Sequence, residues 1–310
     1  MTRRITLGWL LGGVLVTLAV QPGVDAQTYT RGQNISPAYE GWERAPDGTR
    51  SFLFGYMNRN WEEEIDVPIG PDNMIQPGGA DLGQPTHFLP RRNRFVFKVR
   101  VPPEFSEKEE MVWTLTTQGK TERAYASLRE DYFIDDVVVA SETGALGAGA
   151  SNPEVRGNKP PTVVAEGDRT RTVRVGQPLS LSVVVKDDGI PRRRGGGGGA
   201  AATVLTGGRA MFNPPSRITV GKVNGLHASW FVYRGAGSVT FNPPQVKVWE
   251  DTRAGANSPW APLWTPPPMP PDGRLTTEVT FAQPGTYTLT CRADDGALYH
   301  DTTIIVTVTP

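Results

Sequence analysis

The sequence predicts an all-β protein made of two β-sandwich domains behind an N-terminal signal peptide. Short runs of alternating apolar and polar residues recur along the chain, as in half-buried strands. Helix-breaking residues are frequent, with 35 glycines and 28 prolines among 310 residues. An apolar run follows two arginines at the amino end, and a segment rich in Gly, Ala and Pro divides the rest of the chain.

The amino end has the features of a cleaved export signal. Arg3 and Arg4 precede an apolar run over residues 5–20, and small side chains follow at residues 24–26, where a signal peptidase cleaves. The run is shorter than the ~20 residues that a bilayer span needs. We therefore expect a signal peptide over residues 1–26 and a secreted, periplasmic or cell-surface protein with no stable membrane span after cleavage. The general and twin-arginine export routes both stay open.

Composition limits the classes of partner and of stabilising bond. The 32 basic and 32 acidic residues cancel, so the charge balance predicts no nucleic acid or anionic membrane as a partner. The single cysteine, Cys291, excludes an intramolecular disulfide framework. Its place on the inward side of an alternating segment predicts a buried, inert thiol. The fold must therefore be held by packed cores, which two sandwiches of ~100 residues can provide.

A linker divides the mature chain. Residues 141–160 are rich in Gly, Ala, Asn and Pro and have no apolar period. Before this linker we place an N-terminal extension at 27–50 and a β-sandwich module at 51–140. After it we place a second sandwich at 161–310.

Alternation predicts the strands of the first module. One segment ends at a Pro-Pro pair and is expected to turn four apolar side chains to one buried face: Phe95, Phe97, Val99 and Val101. A second strand is predicted at 111–116, and residues 117–120 form a hairpin turn into a strand at 123–128. Weaker patterns predict strands at 51–56 and 64–67.

Several motifs of this half resemble a module found in many secreted bacterial proteins of unknown function. The motifs are V-P-I-G-P-D-N (67–73), P-G-G-A-D-L-G-Q-P-T-H-F-L-P (77–90), the F-V-F-K-V-R-V strand and V-W-T-L-T (112–116). The resemblance covers roughly residues 51–130. It implies an extracellular β-module and brings no catalytic residues with it.

The loop residues of these motifs are interpreted as structural. Gly83 and Pro85 shape the backbone, while the side chains of Asn73 and Gln84 can satisfy loop peptide groups. His87 lies in the same loop and has no cluster of Cys, His or carboxylate residues near it in sequence, so it does not predict a metal site.

The second half gives a clearer strand pattern. Alternating or β-branched segments predict eight strands, at 172–175, 179–186, 230–233, 238–241, 245–250, 277–281, 286–293 and 302–308.

The string P-G-T-Y-T-L-T-C-R-A-D-D-G (284–296), with Trp230 on an earlier strand, resembles the immunoglobulin-like sandwiches of bacterial surface proteins, particularly the polycystic-kidney-disease-type repeat. The resemblance covers roughly 161–310 and implies the fold only. It makes Tyr287 a corner tyrosine whose hydroxyl ties down the preceding loop. Two features depart from the pattern: Cys291 has no partner cysteine, and two connections are unusually long.

In a sandwich of this kind the B–C, D–E and F–G connections emerge at one end. Here they are predicted at 187–227, 251–275 and 294–301, and we call the end where they meet the loop pole. The opposite end has only tight turns. Because loops grow where function uses them, the loop pole is the predicted binding surface.

The candidate binding residues of the loop pole are of two kinds. A basic tract followed by five glycines has two interpretations: a basic binding segment on a flexible arm, or a disordered insertion. Two tryptophans beside a proline run also have two interpretations: aromatic platforms on which a sugar face or a proline-rich segment packs, or side chains that fold back and cover the edge of the sandwich. With two residues of the F–G connection, the predicted binding residues are Arg192, Arg193, Arg194, Trp260, Trp264, Tyr299 and His300.

Repeated Asp-Asp-Gly motifs end strands B and F at this same pole. The carboxylates that would meet there are Asp187, Asp188, Asp294, Asp295 and Asp301. Carboxylate oxygens are the ligands that Ca²⁺ takes, so a structural calcium site is one interpretation. Asp-Gly also provides ordinary turn chemistry, in which the Asp side chain accepts from nearby backbone N–H groups.

We expect an exported, non-enzymatic binding or scaffold protein of the bacterial cell surface or periplasm, which contacts a glycan or a protein through the loop pole. The three histidines, His87, His227 and His300, lie in no recognised nucleophile or zinc motif. No cofactor is expected apart from the calcium interpretation. Two alternatives stay open: a hydrolase or the accessory domain of one, and a purely structural envelope protein. The sequence leaves the ligand and the oligomeric state open.

Overall fold

A computed structural model of the chain describes residues 30–142, 157–191, 225–249 and 268–310. These residues form sixteen β-strands, one α-helix and one turn of 3-10 helix, so the predicted all-β fold class is confirmed. In the described ranges, no helix is long and apolar enough to cross a membrane. The predicted signal peptide lies outside them.

The first module has eight strands followed by two short helical segments. They are β1 (Ile35–Arg44), β2 (Arg50–Asn58), β3 (Ile65–Asp66), β4 (Asn73–Gln76), β5 (His87–Phe88), β6 (Arg91–Arg100), β7 (Met111–Thr117), β8 (Lys120–Ala126), the 3-10 turn Glu130–Tyr132 and α1 (Asp136–Glu142).

These strands form a sandwich of two three-stranded sheets, with strand orders β1-β2-β6 and β4-β7-β8, and a small β3-β5 ribbon. Both sheets turn apolar side chains into one core. Trp113 is fully buried at its centre, with its ring centroid 5.0 Å from that of Phe97 and 5.9 Å from that of Phe54, both edge to face. Aromatic pairs of this geometry stabilise a core beyond the area that they bury.

Strand β1 lies within residues 27–50, which the sequence placed before the module. It pairs antiparallel with β2 from Ile35 opposite Asn58 to Arg44 opposite Arg50, and it contributes Ile35 and Trp42 to the core. The folded module therefore includes residues from 35 onward.

The prediction that Phe95 shares a face with Phe97 is wrong. Along the β2–β6 pair, Phe54 lies opposite Phe97 while Tyr56 lies opposite Asn93, so β6 contains extra residues at this point. Phe95 takes a positive φ of 49° there. Such a bulge reverses the alternation locally, and Phe95 packs in a different cluster from the sandwich core.

The predicted hairpin after β7 is confirmed. Met111, Trp113 and Leu115 are buried on one face of β7, and β7 and β8 pair from Met111 opposite Ala126 to Thr117 opposite Lys120. The two turn residues between them both have positive φ, as the favoured two-residue hairpin turn requires.

Asn73 and Gln84 have the structural roles that the sequence predicted. The buried Asn73 side chain donates from Nδ2 to the carbonyl oxygens of Val67 (3.0 Å) and Pro85 (2.8 Å), and its Oδ1 accepts from Trp113 Nε1 at 3.0 Å. Gln84 accepts from Leu82 N and donates to the carbonyl of Ala80. The 67–90 loop is therefore fastened to the sandwich core.

The second module contains eight strands. They are β9 (Thr162–Ala165), β10 (Thr170–Arg174), β11 (Leu179–Lys186), β12 (His227–Arg234), β13 (Val239–Asn242), β14 (Arg274–Phe281), β15 (Gly285–Asp294) and β16 (Tyr299–Thr309).

Two four-stranded sheets pack face to face, with orders β10-β16-β15-β12 and β13-β14-β11-β9. All the strand pairs are antiparallel except β10 with β16. The chain crosses from one sheet to the other between β9, which pairs with β11, and β10, which pairs with β16. This is an immunoglobulin-like sandwich, as predicted, in which β11, β12, β13, β14, β15 and β16 take the places of strands B to G.

The predicted corner and core residues are confirmed. The Tyr287 hydroxyl lies 2.6 Å from the carbonyl oxygen of Ala236 and 3.0 Å from that of Gln283, four residues before it. Trp230 is 3% exposed and lies opposite Cys291 in the sheet. Cys291 is a free, fully buried thiol whose pKa is raised by burial.

The prediction of a strand at 245–250 is wrong for its described part. Residues 243–249 form no strand. The segment contacts the edge of β12 through a side chain and not through a ladder of backbone hydrogen bonds. Gln245 Oε1 accepts from the backbone N of Trp230 at 2.9 Å. The D–E connection consequently begins at residue 243, directly after β13.

Candidate functional site

The described ends of the two long connections meet at the loop pole. The cleft there, of about 650 Å³, is lined by residues that follow β11 (Asp187, Gly189, Pro191), precede β12 (Gly225, Leu226) and precede β14 (Pro268 to Gly273). Asp295, from the turn between β15 and β16, also lines it. The chain therefore brings its B–C, D–E and F–G connections together, as predicted.

The F–G connection is shorter than the predicted residues 294–301. Strands β15 and β16 pair up to Asp294 opposite Tyr299, which leaves a turn of four residues. Ala297 and Leu298 of this turn are buried in a cluster with Leu53 and Phe95 of the first module and with residues around α1. Because this cluster joins the modules, the F–G turn is an interface rather than a free part of the loop pole.

The first Asp-Asp-Gly motif forms a turn. Asp187 Oδ2 accepts from the backbone N of Gly189 at 2.8 Å, and Asp188 Oδ1 accepts from that of Ile190 at 2.9 Å. Asp188 also accepts through Oδ2 from the backbone N of Lys159, at the start of the second module. These are the bonds that the turn interpretation predicts.

The second Asp-Asp-Gly motif forms a turn of the same kind and closes the module boundary. Asp294 accepts from Gly296 N at 2.6 Å, and Asp295 Oδ1 accepts from the backbone N of Ala297 and of Leu298. Asp295 Oδ2 accepts from the Asn158 side chain at 2.9 Å. Burial raises the pKa of Asp295 to about 7, against the opposing effect of these hydrogen bonds.

The five aspartates do not form one set of metal ligands. Asp301 lies on β16, where Arg292 donates to both its carboxylate oxygens, at 2.9 Å and 2.8 Å. Among the residues that the structure describes, no three His, Cys, Asp or Glu side chains are grouped so that they could hold a metal ion. Calcium binding stays a prediction. Each of the four paired aspartates accepts at least one hydrogen bond from the backbone of its own turn, and Asp188 and Asp295 also accept from Lys159 and Asn158.

The modules are joined by a polar contact centred on the carbonyl oxygen of Phe95, which we call the Phe95 anchor. This oxygen accepts from Arg292 Nη2 at 3.0 Å and from the Tyr299 hydroxyl at 3.1 Å. The Arg292 guanidinium lies 4.1 Å from the Tyr299 ring centroid, and the Tyr299 ring stacks on that of Phe95. Arg292 is 12% exposed, and the Asp301 carboxylate outweighs the effect of burial and raises its pKa.

A second contact joins β12 to the 77–90 loop, and we call it the Gln84 loop contact. Arg234 donates to both oxygens of Asp81, at 2.8 Å and 2.7 Å, and to the carbonyl of Gln84. The Tyr233 hydroxyl donates to the carbonyl of Gly83. Bidentate arginine pairs fix orientation as well as distance. The loop motif of the first module therefore also holds the second module.

His87 is buried between two carboxylates that the sequence does not place near it. β3 and β5 pair Asp66 with His87, so that His87 Nδ1 lies 2.7 Å from Asp66 Oδ1 and Nε2 lies 3.3 Å from Glu64 Oε2. Burial alone would lower the pKa of His87, but the two carboxylates outweigh burial and raise it to about 9. The imidazole is therefore charged at neutral pH and cannot act as a general base there.

A second cleft, of about 290 Å³, lies between the modules, and we call it the module cleft. Its floor is β12, and one wall is the 237–249 segment of the second module. Residues of both modules line it, among them Glu64, His87 and Leu89 of the first module and Trp230, Phe241 and Lys247 of the second.

The predicted binding residues fall into two groups. Arg192, Arg193, Arg194, Trp260 and Trp264 lie outside the described residues. Tyr299 belongs to the Phe95 anchor, and His300 is exposed, with its Nδ1 facing the backbone N of Val163 at 3.2 Å.

Sequence reasoning missed the Arg292 and Arg234 contacts and the His87 carboxylate pair. Alternation along a single strand gives no signal for contacts between segments that lie so far apart in the chain. The position of Arg292 among the apolar residues of β15 was a sequence signal that could have indicated its buried contact.

Comparison with known proteins identifies no family. No family model and no curated protein matches the sequence. Among solved structures, the surface-layer protein SbsC is 8% identical, with a TM-score of 0.24, over 89% of this chain and 28% of that chain. The adhesin InvE of Yersinia pseudotuberculosis is 10% identical, with a TM-score of 0.22, over 91% and 61%. Immunoglobulin domains 1–4 of Sidekick-1 are 11% identical, with a TM-score of 0.22, over 90% and 51%. Similarity at this level carries no inference about function.

The Phe95 anchor predicts a large effect for a conservative change. Arg292→Lys keeps the charge but cannot donate to both Asp301 oxygens and to Phe95 at once. We expect it to lower the free energy of unfolding by about 2 kcal/mol, measured by urea denaturation. Arg274→Lys is the matched control, because Arg274 pairs with Glu166 at the surface and is 52% exposed. Equal losses in the two variants would contradict the anchor.

The ion pairs of His87 predict a pH dependence of stability. Its pKa is about 9 in the folded protein and near 6.5 when unfolded, so its stabilising contribution is complete below pH 6.5 and is lost as the pH rises through 9. Between pH 7 and pH 9 we expect a loss of about 2 kcal/mol in the free energy of unfolding. His87→Gln should flatten this slope, and His300→Gln should keep it. A slope that survives in His87→Gln would show that other groups cause it.

Proposed function

We propose that this protein is an exported, non-enzymatic binding or scaffold protein of the bacterial cell surface or periplasm, which contacts a glycan or a protein through the loop pole. The observation that carries the proposal is the convergence of the two long connections on one cleft of about 650 Å³. Long connections that meet at one end of a rigid sandwich are the usual place of a binding surface.

The contacts between the modules support a scaffold role. The Phe95 anchor, the Gln84 loop contact and the cluster of Leu53, Phe95 and Leu298 join the modules through buried polar and apolar groups. Interfaces of this kind restrict relative motion, which is otherwise the default between domains. A fixed angle between the modules would present the loop pole in one orientation, as a spacer or platform requires.

The chemistry of the described residues does not favour a hydrolase. Both ring nitrogens of His87 face carboxylates, so neither is directed at a nucleophile. Cys291 is buried and its pKa is raised, which opposes formation of the reactive thiolate.

Binding arrays test the proposal. The mature chain should bind a defined glycan or protein on the array, and the double variant Trp260→Ala/Trp264→Ala should bind it roughly tenfold more weakly or worse, because tryptophans in binding surfaces contribute most per residue. Tyr125→Ala is the matched control, since Tyr125 is an exposed aromatic residue of the first module. We expect it to bind like the wild type.

Two outcomes would contradict the proposal. One is the absence of any ligand on glycan and protein arrays, which would favour a purely structural envelope role. The other is steady release of products from a bound ligand, which would favour the hydrolase. Unchanged binding by the double variant would remove the two tryptophans from the contact surface.

A further inference from the structure

Two bulges meet at Gly55, in the middle strand of the β1-β2-β6 sheet. The pairing of β1 with β2 skips Glu40, and the pairing of β6 with β2 skips Gly55. A bulge changes the direction of the side chain that it carries. The carboxyl group of Glu40 crosses β2 and reaches β6, where its Oε2 accepts from Arg92 Nη2 at 2.7 Å. Glu40 therefore contacts the bulged part of β6 directly.

The other carboxyl oxygen of Glu40 faces a second acceptor. Among the residues that the structure describes, Oε1 is buried and has no hydrogen-bond partner. A Cβ added to Gly55 would lie 2.0 Å from this oxygen and 2.4 Å from the carbonyl oxygen of Asn93, so the glycine lets the two oxygens lie close together. An ionised carboxylate and a carbonyl can only accept. A proton on Oε1 would turn the contact into a hydrogen bond.

Burial and the neighbouring charges act on Glu40 in opposite directions. Arg92 and Arg94 of β6 and the backbone N–H of Phe95 favour the ionised form. Across the module boundary, the charge of Glu40 raises the pKa of Tyr299, so this hydroxyl is the group that faces Glu40 from the second module. The Glu40 side chain is 6% exposed, and burial outweighs the cations and raises its pKa above the ordinary value of 4.5.

We infer that Glu40 is a proton switch of the module boundary: in mild acid it takes a proton from solvent on Oε1 and donates it to the carbonyl oxygen of Asn93. The carboxyl group is then bonded to β6 through both oxygens, and the bulge that carries Phe95 is held more firmly. Because the Phe95 anchor depends on this bulge, acid strengthens the contact between the modules. The inference goes beyond the proposed function and does not rest on the loop pole.

The titration of Glu40 tests the first step. Carbon-13 NMR of the mature chain, labelled at the glutamate carboxyl carbons, follows the group directly, and its signal is the one missing from Glu40→Gln. Since the pKa is raised in the folded protein, this group stabilises the fold most in acid, and that contribution is lost as the pH rises through the folded pKa. We expect a titration midpoint above 4.5. A midpoint at or below that value overturns the inference.

Hydrogen exchange of peptides that cover residues 92–97 tests the second step. After correction for intrinsic exchange, we expect the wild type to be roughly threefold more protected at pH 4.5 than at pH 7. Glu40→Gln imitates the protonated form, because its Nε2 can donate to the Asn93 carbonyl, and should be equally protected at both pH values. Glu43→Gln is the matched control: Glu43 pairs with Lys98 and is 30% exposed, so this variant should respond like the wild type.

Glu40→Asp keeps the test decisive if Glu40→Gln does not fold. Its shorter side chain keeps a titratable group but places it too far from the Asn93 carbonyl, so the exchange of residues 92–97 should no longer respond to pH. The inference is overturned if the wild type shows no such response, or if the folded Glu40 variants respond as the wild type does.

Discussion

The carbonyl oxygen of Phe95 accepts from both Arg292 and Tyr299, and the arrangement of the two modules depends on this contact. A bulge in β6, with Phe95 at a positive φ, directs the residue away from the sandwich core and toward the second module. Without the bulge, alternation would turn the ring into the first core. A local irregularity in one strand therefore sets a contact between residues almost two hundred positions apart.

The anchor also explains why charged groups are stable at this boundary. Arg292 is largely buried, and a buried guanidinium is tolerated only when it is paired and hydrogen-bonded. Asp301 provides the countercharge, the Phe95 carbonyl accepts a further hydrogen bond, and the Tyr299 ring lies against the guanidinium. Removing one member leaves the others unsatisfied, so the contact acts as a unit. The module cleft, which is lined by residues of both modules, takes its geometry from modules held in this way.

Local patterns in the sequence predicted much of the fold, but they did not predict contacts between distant segments of the chain. Alternation placed β7, β11 and β15 correctly, and the Pro-Gly-Thr-Tyr string placed the corner Tyr287, because these signals depend on neighbouring residues. The alternating sequence predicted Phe95 on the same face as Phe97, but in the structure Phe95 packs in a different cluster. The pattern of apolar residues does not show that a bulge lies between them. The Asp-Asp-Gly repeats were recognised as turn chemistry or ligands, and the hydrogen bonds of Asp188 and Asp295 favour the turns. Their hydrogen bonds to Lys159 and Asn158 at the end of the linker depend on tertiary packing, which no local pattern predicts.

Differential scanning calorimetry of the mature chain tests the central claim, that the two modules form one cooperative body, most directly. The interface predicts one transition whose calorimetric enthalpy equals its van't Hoff enthalpy, because neither module can unfold without exposing the Phe95 anchor and the cluster around Leu298. Two separate transitions, each matching one module alone, would contradict it.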